Sequence, residues 1–388
     1  MIRLKLKCQI DKILVCFLLV TNTTISYSQN NTGDSILSGL DKTLDLVYSN
    51  KIPKQKKIDS LEKYYTRLNV VKNDSSRLRN RFKIINRFVS LKVDSLEKKY
   101  VDEIRNEAIV VNNKHNIAKS YYFLGNYFLK VFTLDSALYY LNKSEKIFQN
   151  KNDKQYLSFN YSQKAKVYTY INDYNKALDY NFRALEQAQE LDNGLPVLLA
   201  YQSIFITLGK LDQQKDAVGY YRKAIRILEG NKQKLGKYYF SYKAQIHNSM
   251  GSVYLKTDNY TKARKLYQKG LEVDQIKSIF PSLHAALLDN LTYTRYKSGD
   301  TANVKGNLKR ALFLKDSLEK PAIAVQTRLR LAEWHFNQNE LAQSKKYAQQ
   351  AYKDAKEYNI IDEELQALER LAQSDPENQS AYFKEYIH

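Results

Sequence analysis

The sequence predicts an all-α chain, a solenoid of antiparallel helix pairs, and three observations carry that prediction. Turn-forming residues are scarce: the 388 residues include only 12 Gly and 5 Pro, too few for the many connections of a sheet protein. Columns of like residues recur every forty positions, at Tyr121, Tyr161 and Tyr201, and at Ala137, Ala177 and Ala217. The same offset relates Tyr140, Tyr180 and Tyr220, and Ser144, Ala184 and Ala224. Within one such unit, large and small residues alternate at helical spacing: Tyr121, Leu124-Gly125, Phe128, Ala137, Leu141 and Ser144. Small residues let two helices approach, and large ones fill the space between them.

In chain order, residues 1–28 read as a secretory leader. Arg3, Lys5, Lys7 and Lys12 form a basic stretch, Ile13 to Val20 an apolar one, and Ser26 and Ser28 supply small residues before a cut. Eight apolar residues fall short of the ~20 that span a bilayer. Cleavage after Ser28 would remove Cys8 and Cys16, leaving a mature chain with no thiol. No transmembrane segment is expected in what remains, and the location expected is the periplasm or cell envelope.

Residues 29–112 read as helical pairs with degenerate repeats, and residues 113–388 as the regular array. Later units keep the pattern: His247, Met250-Gly251, Tyr254, Ala263, Tyr267 and Gly270, then a degenerate unit with Leu288, Leu291, Val304, Leu308 and Ala311. A sixth has Leu331-Ala332, Ser344, Ala348 and Ala351, and a seventh begins near Asp362 with Leu371-Ala372. Asn172-Asp173, Asp258-Asn259, Ser298-Gly299-Asp300 and Asn337-Gln338-Asn339 mark turns between paired helices. Pro196, Pro281 and Pro321 mark helix starts. About 16 to 18 helices and no sheet are expected on this periodicity. The last repeat reads as incomplete and uncapped, a face that a second copy could cover in a homodimer.

This spacing resembles the tetratricopeptide repeat (TPR), with Leu-Gly at positions 7 and 8, an aromatic residue at 11, and small residues at 20 and 27. The resemblance implies a TPR-like α-solenoid wound as a right-handed superhelix. Units of about forty residues are longer than the family's usual 34. In that respect they resemble the sensory arrays of bacterial regulators.

Catalysis needs converging polar groups, and the sequence offers none. His115, His247, His284, His335 and His388 are widely spaced, and no metal-binding histidine pair or phosphate-cradling glycine cluster occurs. His247 and His335 fall on packing positions. No cofactor, no metal and no enzymatic activity are expected. Asp34-Ser35, Asp59-Ser60, Asp94-Ser95, Asp135-Ser136 and Asp316-Ser317 read as helix N-caps, while Asp-Ser-aliphatic also resembles a bacterial O-glycosylation sequon.

The TPR resemblance further implies that the first helix of each pair, helix A, lines a groove through positions 2, 5, 9, 12 and 13. Position 13 reads Lys130, Tyr170, Lys210, Lys256, Lys297 and Asn337, so four lysines would form a basic ridge for an acidic peptide or protein segment. Tyr122, Phe159, Tyr293, Tyr296 and Phe336 add aromatic surface. Asn126, at position 9, resembles the asparagine by which chaperone-adaptor TPR domains grip a peptide carboxylate, while Ser162 and Lys166 depart from the rest of that clamp. The competing explanation of the lysines is local, since cations at a helix C-terminus complement its dipole. A net charge of +21 also raises nucleic acid, but the charges are spread evenly and no recognition motif occurs, so none is expected in this part of the chain. The function expected is peptide or protein binding in the cell envelope. The alternative is the sensory domain of a regulator whose membrane and output segments lie outside this chain.

Overall fold

The computed structural model describes residues 40, 41, 43, 44, 52–91, 93–236, 238–318, 321–358 and 360–387. The proposed leader, both cysteines, His388 and the Asp34-Ser35 pair lie outside them. The described residues contain 19 α-helices, two of them single turns, and no strand. The longer helices are α1 (Lys54–Arg67), α2 (Asp74–Leu91), α3 (Asp94–Val110), α4 (Lys114–Lys130), α5 (Leu134–Asn150) and α6 (Lys154–Tyr170). They continue as α7 (Tyr174–Gln189), α8 (Gly194–Lys210), α9 (Gln214–Gly230), α10 (Tyr238–Lys256), α11 (Tyr260–Leu271) and α12 (Pro281–Lys297). The last are α13 (Val304–Asp316), α14 (Pro321–Asn337), α15 (Leu341–Glu357), α16 (Ile361–Ser374) and α17 (Gln379–Ile387).

Successive helices pack as antiparallel pairs joined by turns of a few residues, α4 with α5, α8 with α9, α10 with α11 and α14 with α15. The turns inside the pairs are built alike. Phe132, Asn172, Asp212, Asp258, Gly299 and Asn339 all take a positive φ, the left-handed conformation that Gly, Asn and Asp adopt most readily. Phe132 is the bulky exception, and it stands in the same forty-residue column as Asn172 and Asp212.

Between pairs a second column does the capping. The Asn73 side chain accepts from the Ser76 N–H, Asn113 from Asn116, Asp153 from Tyr156, and Asn193 from Leu195. These four caps also stand forty residues apart, so the repeat runs upstream of the segment where it is plain in the sequence. The Asp-Ser pairs are not these caps. Asp94 and Asp135 sit in the first turns of α3 and α5 without capping bonds, Asp59-Ser60 lies inside α1, and Asp316-Ser317 closes the end of α13. A carboxylate in a first turn is favoured by the helix dipole alone, so the pattern marks some helix starts without capping them.

The described residues form two units, one ending at Gln163 and one starting at Lys164, with the boundary inside α6. The core of the first joins Leu61, Leu78, Phe82, Phe88, Ile104, Ala108 and Leu124. Across it, the Arg77 and Arg81 guanidinium groups on α2 pair with Glu107 on α3. The core of the second includes Ile204, Phe205, Ala217, Ala224, Met250, Ala263, Tyr267 and Leu287. Small residues act as the sequence predicts: a Cβ on Gly125 would lie 2.7 Å from the Leu141 side chain, and one on Gly251 would lie 2.6 Å from the Tyr267 ring. His247 is buried, its Nδ1 2.9 Å from the Tyr221 hydroxyl, and burial lowers its pKa to about 4.

Candidate binding site on the A helices

The A helices carry every residue singled out for a groove, and the structure divides those residues into two groups. In the second unit, polar groups at groove positions bond sideways to the next A helix. The Lys256 Nζ at the end of α10 pairs with Asp212 at 3.2 Å and donates to the Lys210 carbonyl at 3.1 Å, closing the C-terminal end of α8. Lys297 on α12 lies 3.4 Å from Glu333 on α14, which also accepts from the Tyr293 hydroxyl at 3.0 Å. Asn337 donates to the Tyr296 hydroxyl at 2.6 Å, and the Arg370 guanidinium on α16 sits 4.8 Å from the centre of the Phe336 ring. Lys210, Lys166 and Tyr170 are half-buried, and desolvation lowers the Lys166 pKa to about 8.

Lys130, in the first unit, is held by Glu97 of α3, a fully buried carboxylate, with Asp94 3.7 Å away. Thus Lys130, Lys256 and Lys297 each face an acidic partner from a neighbouring helix. Pairing of this kind discounts the simple picture of a bare basic ridge. A carboxylate at about 3 Å cancels most of a lysine's field beyond its immediate neighbourhood.

The rest of the first unit's A-helix face differs. His115, Lys119, Tyr122 and Asn126 follow one another on α4 at spacings of four, three and four, which places them on one helix face. Three of them surround the Tyr156 ring of α6: its centre lies 5.5 Å from His115, 5.6 Å from the Lys119 Nζ and 5.9 Å from Tyr122. Phe148 stacks on Tyr156 at 4.7 Å, and Phe159 lies 6.0 Å from it. On the other side, Lys119 sits 4.4 Å from the centre of the Phe82 ring of α2. Tyr122 is half-buried, and desolvation raises its pKa.

Asn126 is the most exacting group on this face. Only 2% of its surface is exposed, and neither amide atom makes a hydrogen bond. The Tyr122 hydroxyl comes near without closing a bond of good geometry to it. A buried amide left unbonded costs about 1–3 kcal/mol, so such a group stands ready for a ligand that can bond it.

Sequence reasoning named Tyr122, Asn126, Lys130 and Phe159 here but missed Lys119, Arg79, Phe82 and Tyr156. A signal existed: Arg79, Lys119 and Phe159 occupy one forty-residue column, and Phe82 and Tyr122 another. The structure also shows a buried polar network that the sequence reading missed. Asp289 on α12 binds Lys315 at 2.6 Å and Arg330 at 2.9 Å, and Arg330 continues to Asn290 and thence to Asn248 on α10.

The fold is that of a TPR-type helical repeat, an all-α solenoid. No protein-family model matches the sequence, and a search of curated proteins found no match. Solved structures do match in fold. The chain is similar to the apo form of the quorum sensor NprR from B. thuringiensis, at a TM-score of 0.60 and 16% identity, covering 92% of this chain and 99% of that one. It is also similar to NprR in complex with its cognate peptide NprX, at a TM-score of 0.54 and 15% identity over 92% of this chain and 99% of that one. A Rap protein complexed with Competence and Sporulation Factor gives a TM-score of 0.54 at 13% identity, over 90% and 99% of the two chains. Among the described residues, no group of three or more His, Cys, Asp or Glu side chains could hold a metal, and no helix is long and apolar enough to cross a membrane.

Proposed function

We propose that this chain is a scaffold that binds an extended peptide or protein segment along its A-helix face, and that it works by binding and not by catalysis. The observation that carries the reading is Asn126, a buried side-chain amide with both polar atoms unbonded on the aromatic face of α4. A side-chain amide offers one acceptor and two donor hydrogens, which match the N–H and C=O of a peptide backbone whatever its sequence. The rings of Tyr122, Tyr156 and Phe159 beside it supply apolar area for ligand side chains. That NprR, of similar fold, was solved in complex with its cognate peptide supports the same reading. The basic and apolar residues of the leader support export to the cell envelope. A sensory role, in which the bound segment is a signal, is favoured by the likeness to a quorum sensor.

The test is selection of a random peptide library on the purified chain. Enriched peptides should share a motif, bind with micromolar or better affinity, and lose tenfold or more on Asn126→Leu. Enriched peptides that bind the Asn126→Leu protein equally well would overturn the role of this face, and a library that yields no shared motif would overturn the peptide reading itself.

A further inference from the structure

The second helices of the pairs, the B helices, are unequally charged. In the first unit they carry at least as many acids as cations, five against three in α3 and two against two in α5. In the second unit α9, α11 and α13 carry four Lys or Arg each, against only Asp216, Glu229 and Asp316 in all three together. Two of those acids are held by A helices: Glu229 pairs with Lys243 of α10 at 3.0 Å, and Asp316 with Arg328 of α14 at 2.7 Å. Nine of the twelve cations are exposed, and among the described residues none of the nine has an ion pair. Lys256 and Lys297 of the A helices are paired, so the open positive charge of this unit lies on its B helices. In the stack α8 packs on α10 and α10 on α12, which leaves the B helices on the outer side of the unit.

Contacts join these helices into one patch. Between α7 and α9, the Phe182 ring lies 5.9 Å from the Tyr220 ring, and the Lys223 Nζ sits 4.6 Å from the centre of Tyr220. Between α9 and α11, Lys262 sits 5.3 Å from the centre of the Tyr254 ring; burial raises that tyrosine's pKa and the Arg222 charge opposes it. Between α11 and α13, burial and then the charges of Lys277 and Arg310 lower the pKa of His284. Exposed apolar side chains stand among the cations. Phe313, 71% exposed, follows Arg310 by three positions and Lys309 by four, which puts the three on one face of α13. Phe182 stands beside Arg183, Ile279 lies two positions after Lys277, and both are exposed. A hydrated polyanion such as nucleic acid would meet the cations and leave Phe313 and Ile279 in water. The headgroup region of an anionic bilayer meets both: phosphates face the cations, and the acyl boundary takes the apolar side chains.

We propose that the B-helix face of the second unit, centred on Lys223, Lys269 and Arg310, docks on a bilayer surface containing anionic phospholipid, with Phe313 inserted at the headgroup boundary. Lysine and arginine stems are long enough to place their charges at the phosphates while the ring reaches deeper. Each cation near such a surface strengthens binding roughly fivefold, so a patch of nine is ample for reversible attachment. The inference is independent of the peptide-binding reading, whose site lies on A helices.

The full chain is sedimented with vesicles of phosphatidylcholine alone, or of phosphatidylcholine and phosphatidylglycerol in equal parts. Binding to the mixed vesicles should be at least tenfold tighter and should weaken as salt is raised. Residues 1–28 carry a basic and an apolar stretch of their own, so the deciding comparison is between variants that share them. Lys223→Gln with Lys269→Gln should weaken binding at least tenfold. Lys54→Gln with Lys63→Gln removes the same charge from exposed positions of α1 and should change it less than twofold; thermal melting checks that both variants fold. Brominated acyl chains in the mixed vesicles should quench the Phe313→Trp chain beyond the quenching of Trp334, the one native tryptophan. Equal binding to the two vesicles, no binding to either, or wild-type binding by the Lys223→Gln, Lys269→Gln chain would overturn the proposal. So would the absence of added quenching, or tighter binding to duplex DNA than to the mixed vesicles, which would make nucleic acid the occupant.

Discussion

Asp289→Asn is expected to cost about 3–5 kcal/mol of stability, because it leaves two buried cations without their counter-charge. Lys315 and Arg330 are 4% and 6% exposed, and Asp289 is 1% exposed. The carboxylate also accepts from the Thr327 hydroxyl at 2.7 Å. Burial pushes the Asp289 pKa upward, but the Arg330 and Lys315 charges outweigh it and hold the group at about 2, below its ordinary 3.8. The sign follows from this depression. The folded chain binds the proton less readily than the unfolded chain, so the contribution is complete above the unfolded value and is lost as pH falls from about 4 through about 2. Thermal melting at pH 7 should show the full loss in the variant, and the difference from wild type should narrow in acid. Breaking the partly exposed Arg295–Asp300 pair, 2.8 Å apart, should cost under about 1 kcal/mol by comparison. If Asp289→Asn melts with wild type at pH 7, the network is not holding these helices together.

Lys130→Met should cost a similar amount, about 3–5 kcal/mol at neutral pH, because Glu97 would become a buried carboxylate with no cation. Glu97 is fully buried, and desolvation raises its pKa despite the opposing charge of Lys130. A raised carboxyl works opposite to Asp289. The folded chain holds the proton more tightly, so this group's contribution falls as pH rises from the unfolded value through the folded one. Removing Lys130 takes away the lowering influence and widens that window. The variant should therefore regain stability on moving from pH 7 toward pH 5, and Glu97→Gln in the same chain should restore most of the loss. A Lys130 that served only a ligand would leave melting unchanged, so this pair of variants separates a structural lysine from a groove lysine.

The two networks show what the sequence made legible and what it did not. Helix pairing could be read from Ala137, Ala177 and Ala217 because close packing admits few residues at a contact, and that constraint repeats every forty positions. The lysine column could be read too, but its partners could not. Glu97, Asp212 and Glu333 lie far from Lys130, Lys256 and Lys297 in sequence, and only the stacking of helices brings them together. The unit holding Asp289 looked degenerate because charged and amide groups replace apolar ones at buried positions, which weakens the hydrophobic pattern where the structure is most specific. Asp-Ser pairs misled for a related reason. Asp and Ser suit a first turn as well as a cap, whereas the caps between pairs, Asn73, Asn113, Asp153 and Asn193, are single residues that stand out in register, and those within pairs include Asp173 and Asn259 of the predicted turns. That register also leads from Phe159 back through Lys119 to Arg79.

The proposed ligand face is the A-helix face of the first unit. Hydrogen–deuterium exchange of the full chain, with and without a library-selected peptide, tests it most directly. Amides of α4 from Lys114 to Lys130 and of the N-terminal half of α6 should exchange more slowly in the complex, with α5 little changed. Protection confined to B helices such as Leu134–Asn150 or Gln214–Gly230, with α4 unaffected, would contradict it.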